Sequence, residues 1–149
     1  MTQPLKTQIH ASCIELAGTG VLLRGASGSG KSDFALRLID AGARFVADDR
    51  TDLAVENGRL VASAPASIAG KLEVRGIGIV TMANVARSTI GLVVDLVAPG
   101  DIERLPEPRQ CRYLEIDVPL IALTPFESSA PAKLRVAVRA AALGRLAAA

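Results

Sequence analysis

The sequence has few aromatic residues and few residues that bind metals through nitrogen or sulfur. Only 3% of its 149 residues are aromatic, with one tyrosine and no tryptophan, so single-stranded nucleic acid finds few stacking platforms. One histidine and two cysteines are too few for a disulfide framework or a zinc-type site. These shortages argue against nucleic-acid-binding and metal-cluster proteins, and they predict a core of aliphatic side chains.

The sequence also lacks a strong net charge and a long apolar run. Seventeen basic residues against fifteen acidic ones give a net charge of +2, which favours neither nucleic acid nor a membrane surface as a partner. No apolar run reaches about 18 residues, and residues 1–10 lack the apolar segment of a signal peptide. Half of the residues are hydrophobic, enough for one core. We expect a cytoplasmic protein with one domain over residues 1–149.

One glycine-rich segment fits the phosphate-binding P-loop pattern G-x-x-x-x-G-K-[ST] in full. Its residues are Gly25, Ala26, Ser27, Gly28, Ser29, Gly30, Lys31 and Ser32. Glycines let backbone N–H groups point at phosphate oxygens, and the following helix adds the positive end of its dipole. Lys31 is expected to reach the β- and γ-phosphates, and the Ser32 hydroxyl to bind Mg²⁺. The motif predicts a protein that binds ATP or a close relative.

Apolar periodicity around the P-loop predicts a mixed α/β domain, a sheet with one P-loop helix and one C-terminal helix. The P-loop helix is expected from Lys31 to a stop at Gly42, and the C-terminal helix over 132–149. An exposed loop is expected over 101–109. Strands are expected at 11–16, 21–23, 45–47, 90–97 and 113–123, the last interrupted at Pro119, with a hairpin over 52–62.

Phosphoryl transfer also needs a carboxylate, either for Mg²⁺ or for the attacking hydroxyl. Two candidates follow predicted strands: Asp95, and the adjacent pair Asp48 and Asp49. The longer apolar strand before Asp95 favours that residue as the generic magnesium-binding acid. A solvated turn explains the pair about as well, so the residues alone leave the choice open.

Four segments, in this order, resemble the catalytic domain of the HPr kinase/phosphorylase family. His10 precedes the P-loop at the family's spacing, and GASGSGKSDFALRLID is similar to the family's P-loop and helix. VADDR, at 46–50, is similar to its paired-aspartate motif, and LEVRGIGIV, at 72–80, to its signature sequence. The resemblance runs from about His10 to the C-terminus and implies the mixed P-loop sheet of that catalytic domain.

The resemblance implies a serine kinase that uses ATP and Mg²⁺. Its substrate would be HPr, the small phosphocarrier of the phosphotransferase system, in the regulation of carbon and nitrogen metabolism. It implies that the aspartate pair supplies the base for the substrate serine, with Asp49 favoured over Asp48, and that Asp95 is structural. It further implies that Ser32 and Glu73 hold Mg²⁺, that His10 and Lys31 line the phosphate site, that Arg104 is a functional arginine, and that Arg75 positions substrate.

The sequence also departs from the family's pattern. Full-length members carry an N-terminal domain that is not found here, so the chain resembles the short form of α-proteobacteria. Residues 125–131 are acidic and lack the basic and glycine residues of the loop on which the family's phosphorylase activity depends, which leaves the reverse reaction open. The resemblance implies a homo-oligomer, hexameric in the family. A P-loop kinase or NTPase with another acceptor, and a non-catalytic nucleotide sensor, are the alternatives.

Overall fold

The computed structural model describes residues 5–146, in which β-strands outnumber helices. The helices are α1 (Lys31–Asp40) and α2 (Ala130–Ala142). The strands are β1 (Lys6–Ile9), β2 (Ala11–Leu16), β3 (Thr19–Arg24), β4 (Arg44–Ala47), β5 (Thr51–Glu56), β6 (Arg59–Ser63), β7 (Lys71–Val74), β8 (Gly78–Thr81), β9 (Ser88–Leu96), β10 (Arg109–Tyr113) and β11 (Ile116–Leu123). No described helix is long and apolar enough to cross a membrane.

Nine of these strands form one mixed sheet that branches at β9. The path β1-β5-β6-β9-β3-β2-β4 is continuous, and β11, paired with β10, adds to the later part of β9. Strands β3, β9 and β11 are parallel, and the other pairings are antiparallel. Because carboxyl ends of parallel strands share one edge, the segments that follow β3, β9 and β11 meet there. The P-loop is the segment that follows β3.

The central strands are apolar on both faces because both faces are covered. Val21 and Leu23 of β3 point into a cluster with α1 and α2, whereas Leu22 between them points into a second cluster on the opposite face. Residues of β9 alternate in the same way, with Leu92 and Val94 on the helical side. Both clusters consist largely of Ala, Val, Leu and Ile, which confirms the predicted aliphatic core.

Helix α1 begins and ends where its sequence predicts. Gly30 precedes it with a left-handed backbone at φ 99°. Gly42 follows it at φ 111°, where the Ala43 N–H donates to Leu38 O (2.9 Å) and the Gly42 N–H to Ile39 O (3.0 Å). This is the Schellman arrangement, which needs a residue that tolerates positive φ. The stop at Gly42 is therefore confirmed.

Other sequence predictions were confirmed or corrected in part. The hairpin over 52–62 forms between β5 and β6 across Asn57-Gly58. The predicted strand over 113–123 is broken at Leu114 and Glu115, the turn between β10 and β11, and not at Pro119. Pro119 lies within β11, because β11 pairs with β9 only from Leu120 onward and Pro119 faces β10 alone. The exposed loop ends at 108, since Arg109 already belongs to β10. Helix α2 begins two residues before the predicted start and ends at Ala142, and residues 147–149 of the prediction lie outside the described part.

The two cysteines differ in exposure, which gives a direct test of this fold. Cys13 is fully buried in β2, and burial raises the pKa of its thiol, whereas Cys111 is only partly covered. Thiolates are the reactive form of cysteine. In the native protein at mildly alkaline pH, we expect a maleimide to label Cys111 and to label Cys13 only after denaturation. Mass spectrometry of the labelled peptides reads this out, and equal labelling of both would contradict the placement of β2.

Candidate active site

The P-loop has a backbone that only its glycines allow. Gly28 and Gly30 have φ of 82° and 99°, and a turn is closed by the Ser29 N–H, which donates to Ala26 O (3.0 Å). A Cβ on Gly25 would lie 2.4 Å from Ser29 Oγ, and one on Gly30 would lie 2.8 Å from the Phe126 ring. Each of these glycines is therefore required by strain or by a close neighbour.

Lys31, the P-loop lysine, is buried at the start of α1 and lies against the loop. Its Nζ donates to Gly25 O at 2.6 Å and to Ala26 O at 3.2 Å, and the residue is only 6% exposed. Two carbonyl oxygens of the loop thus hold the ammonium group against the loop. A cation therefore lies beside the loop that the P-loop pattern predicts to bind phosphate.

Asp48 is a buried carboxylate that joins four parts of the chain. Its Oδ1 accepts hydrogen bonds from Ser32 Oγ (2.7 Å) on α1 and from Ser12 Oγ (3.1 Å) on β2. Its Oδ2 accepts one from the Glu73 N–H (3.2 Å) on β7. Asp48 follows β4 directly and is 8% exposed. The structure therefore brings Ser32 and Asp48 into contact. The sequence analysis predicted a role for each of them but no contact between them.

Asp49, the next residue, faces solvent instead. Its Oδ1 lies 2.6 Å from His10 Nε2, and both side chains are at least half exposed. Asp49 has φ 66° at the centre of a three-residue turn, in which the Arg50 N–H donates to Asp48 O (2.7 Å). Turns of this kind are rare and strained for a residue with a Cβ, and strain of this kind concentrates at functional sites.

The two aspartates lie in different environments although they are adjacent in the chain. Asp48 is buried against the P-loop serine, while Asp49 points to the histidine and solvent. Two identical residue types thus have two environments, one suited to holding a ligand and one open to an incoming group.

Sequence reasoning missed Ser12, which touches both aspartates. Its hydroxyl donates to Asp48 Oδ1 (3.1 Å) and accepts from the Asp49 N–H (3.0 Å), and the residue is fully buried. The one available signal was a polar residue among buried positions of a predicted strand, since the residues on both sides of Ser12 are also buried.

The remaining predicted residues lie farther out. Glu73 has an exposed side chain on β7, although its backbone N–H reaches Asp48. Arg75 is exposed in the turn between β7 and β8, and Arg104 is exposed in the loop before β10. Within residues 5–146, neither arginine is hydrogen-bonded or ion-paired to another predicted site residue. Their proposed roles stay predictions.

Asp95, the other acid considered, is held by an arginine. Arg24 donates to its two oxygens from Nε (2.7 Å) and Nη2 (2.9 Å), and its Nη1 donates to Tyr113 Oη (2.9 Å) and Cys111 Sγ (3.1 Å). The hydrogen bonds from Arg24 to Asp95 raise the pKa of the guanidinium, and burial raises the pKa of the Tyr113 hydroxyl. This bidentate pair fastens the end of β3 to β9.

Comparison with known proteins gives relatives over most of the chain. The family profile described as HPr Serine kinase C-terminal domain matches residues 3–143. HPr kinase/phosphorylase from Clostridium tetani is 39% identical over 98 residues, 61% of this chain and 32% of the relative. The protein of that name from Pediococcus pentosaceus is 35% identical over 130 residues, 79% of this chain and 42% of the relative. The chain aligns with less than half of the length of each.

A solved structure extends the likeness to three dimensions. The Hpr(Ser) kinase/phosphatase from Coxiella burnetii has a TM-score of 0.83 and 32% identity, across 93% of this chain and 92% of that one. This agreement confirms the predicted mixed α/β fold with its P-loop helix and C-terminal helix. Because the family profile spans all but a few residues, the chain belongs to the HPr serine kinase C-terminal domain family.

Proposed function

We propose that this chain is an ATP- and Mg²⁺-dependent serine kinase whose substrate is HPr, the phosphocarrier of the phosphotransferase system. The observation that carries the proposal is the division between the two aspartates beside the P-loop: Asp48 is bonded to Ser32, and Asp49 faces solvent and His10. The names of the relatives supply the substrate, and the site supplies the chemistry. In this proposal residues 1–149 act as one kinase domain in the cytoplasm, where ATP is made and used.

The P-loop would bind the phosphates of ATP. Backbone N–H groups at the start of α1 and the positive end of its dipole favour negative charge at this point. Lys31, already positioned beside the loop, would add a full positive charge. Since the phosphoryl group in transfer gains stabilisation chiefly from positioning and charge neutralisation, these groups account for most of the chemistry expected of the loop.

The residues around Ser32 fit a magnesium ion in their chemistry. Mg²⁺ is held in kinases by one or two carboxylates and hydroxyls together with substrate phosphates, and Ser32 Oγ and the Asp48 carboxylate already lie together. No group of three or more His, Cys, Asp or Glu side chains in the described part forms a site without nucleotide. When bound, Mg²⁺ would neutralise charge on the β- and γ-phosphates. Glu73 would add a second carboxylate.

Asp49 would act as the general base. The substrate serine oxygen attacks the γ-phosphorus, its proton passes to an Asp49 carboxylate oxygen, and the bond from the γ-phosphorus to the bridging oxygen breaks to release ADP. His10, hydrogen-bonded to Oδ1 of Asp49, would orient the carboxylate and leave Oδ2 for the proton. Arg104 would supply further positive charge, as the family resemblance implies.

Incubation of the protein with HPr, Mg²⁺ and ATP labelled in the γ-phosphate tests this proposal. We expect label on a serine of HPr, and no label when Mg²⁺ is chelated. Incubating the protein with purified phosphorylated HPr and inorganic phosphate tests the reverse reaction, which the sequence of residues 125–131 leaves open. Label on a small metabolite but not on HPr would replace the proposal with a different kinase, and ATP binding without any transfer would replace it with a nucleotide sensor.

A further inference from the structure

We propose that Ser12 is a positioning residue that sets Asp49 for proton transfer by bridging the two aspartates; this inference rests on the proposed function. Ser12 lies on β2, two residues after His10, and is fully buried. Within residues 5–146 the side chain of Ser12 is hydrogen-bonded to the aspartate pair and not to the P-loop, and its burial keeps it away from the surface that a substrate would reach. Any effect of Ser12 on phosphoryl transfer would therefore pass through Asp48 and Asp49.

The hydroxyl of Ser12 uses both of its hydrogen-bonding roles on the aspartate pair. It donates its proton to Asp48 Oδ1 at 3.1 Å and accepts the Asp49 N–H at 3.0 Å. A hydroxyl has one donor and can accept at the same time, so one atom links the side chain of Asp48 to the backbone of Asp49. Alanine at this position would remove both links.

The two aspartates do not depend on this bridge equally. Asp48 keeps two other donors, Ser32 Oγ at 2.7 Å and the Glu73 N–H at 3.2 Å. The backbone N–H of Asp49 has Ser12 as its hydrogen-bond acceptor, and Asp49 is held at φ 66°, which residues with a side chain adopt rarely. Loss of the hydroxyl is therefore expected to disturb Asp49 more than Asp48.

The Ser12 bridge lies where the regular backbone pairing of β2 with β4 ends. Strands β2 and β4 pair up to Cys13 and Ala47, with a register shift at Cys13 and Ile14. Beyond Ala47 the chain leaves the ladder, and Ser12 binds Asp48 and Asp49 with its side chain instead of its backbone. The turn at Asp49 is thus fixed to the central sheet, the arrangement that a general base needs to keep its geometry.

The test compares Ser12→Ala, Ser12→Thr and the control Ser88→Ala. Ser88 is also a buried serine that donates to a carboxylate, Glu15 Oε1 at 2.7 Å, but it makes no contact with the aspartate pair. Amide hydrogen exchange at Asp49, followed by NMR, measures the bridge, and kcat and KM for ATP measure its effect on HPr phosphorylation. Ser12→Thr keeps a hydroxyl and tests rescue.

In Ser12→Ala we expect exchange at Asp49 to be at least about tenfold faster than in Ser88→Ala, with kcat lower by about 10- to 100-fold and KM for ATP nearly unchanged. Ser12→Thr should recover slow exchange and most of kcat. Equal exchange in the two alanine variants, or faster exchange with unchanged kcat, would overturn the inference. A wild-type protein that never phosphorylates HPr would overturn the proposed function instead, while the exchange measurement would still decide the bridge.

Discussion

Asp49→Asn is expected to lower kcat for HPr phosphorylation by about a thousandfold and to leave the affinity for ATP unchanged. Asparagine keeps the shape of aspartate but cannot accept a proton, so the substrate hydroxyl loses its base. Asp49 is more than half exposed, and within residues 5–146 its side chain is paired with His10 and not with the P-loop, so nucleotide binding should not depend on its charge. Steady-state kinetics with HPr and calorimetric titration with ATP and Mg²⁺ measure the two effects separately.

The matched control for this substitution is Asp52→Asn. Asp52 lies three residues later, at the start of β5, and accepts a hydrogen bond from Gln8 Nε2 at 2.8 Å, outside the site. It should change neither kcat nor ATP affinity. If Asp49→Asn retained a wild-type kcat, Asp49 would not be the base. If it lost ATP binding together with activity, Asp49 would belong to the nucleotide site.

Asp48→Asn is expected to raise the Mg²⁺ concentration needed for half-maximal activity by about tenfold or more. Asparagine has no charge to offer the ion. The substitution should also destabilise the fold. The side-chain carbonyl of asparagine can still accept hydrogen bonds from Ser32 and Ser12, but its NH₂ group then faces the Glu73 N–H, so that two donors oppose each other. Such an unpaired buried group costs about 1–3 kcal/mol of unfolding free energy.

Activity across a Mg²⁺ series and chemical denaturation measure these two effects of Asp48→Asn. Asp117→Asn is the control, since Asp117 forms an exposed ion pair with Arg112 (3.6 Å) on β10 and β11. It should leave both the Mg²⁺ requirement and the stability near the wild-type values. If Asp48→Asn kept a normal Mg²⁺ requirement but had a strongly reduced kcat, Asp48 and not Asp49 would be the better candidate for the base.

The parts of the molecule that could be predicted from sequence are those fixed by local chemistry. The start of helix α1 was predictable from the P-loop pattern and from the spacing of Phe34 and Leu38. Its end was predictable from Gly42, because glycine is favoured where φ is positive. The turn at Asn57-Gly58 was predictable for the same reason. Local signals failed where strand pairing decides the outcome, as at Pro119 and at the start of β10.

The candidate site shows the same limit more sharply. Residue patterns alone left Asp95 and the aspartate pair as alternatives, because a strand followed by an acid looks the same in both places. Tertiary contacts distinguish them. Asp95 is hydrogen-bonded to Arg24. Asp48 is hydrogen-bonded to Ser32, 16 residues away along the chain, and Asp49 to His10, 39 residues away. The polar residue Ser12 in a buried strand was the one visible signal, but the sequence did not indicate that its partners are Asp48 and Asp49.

A single-turnover measurement bears most directly on the central claim, that Asp49 serves the incoming serine while Asp48 serves the ion. Enzyme in excess over HPr, with saturating ATP and Mg²⁺, is quenched over time and phosphoserine on HPr is quantified by mass spectrometry. We predict rapid phosphoserine formation by the wild type, almost none by Asp49→Asn at any Mg²⁺ concentration, and partial recovery of Asp48→Asn as Mg²⁺ is raised. Phosphoserine formed by Asp49→Asn at the wild-type rate, or none formed by the wild type, would contradict the claim.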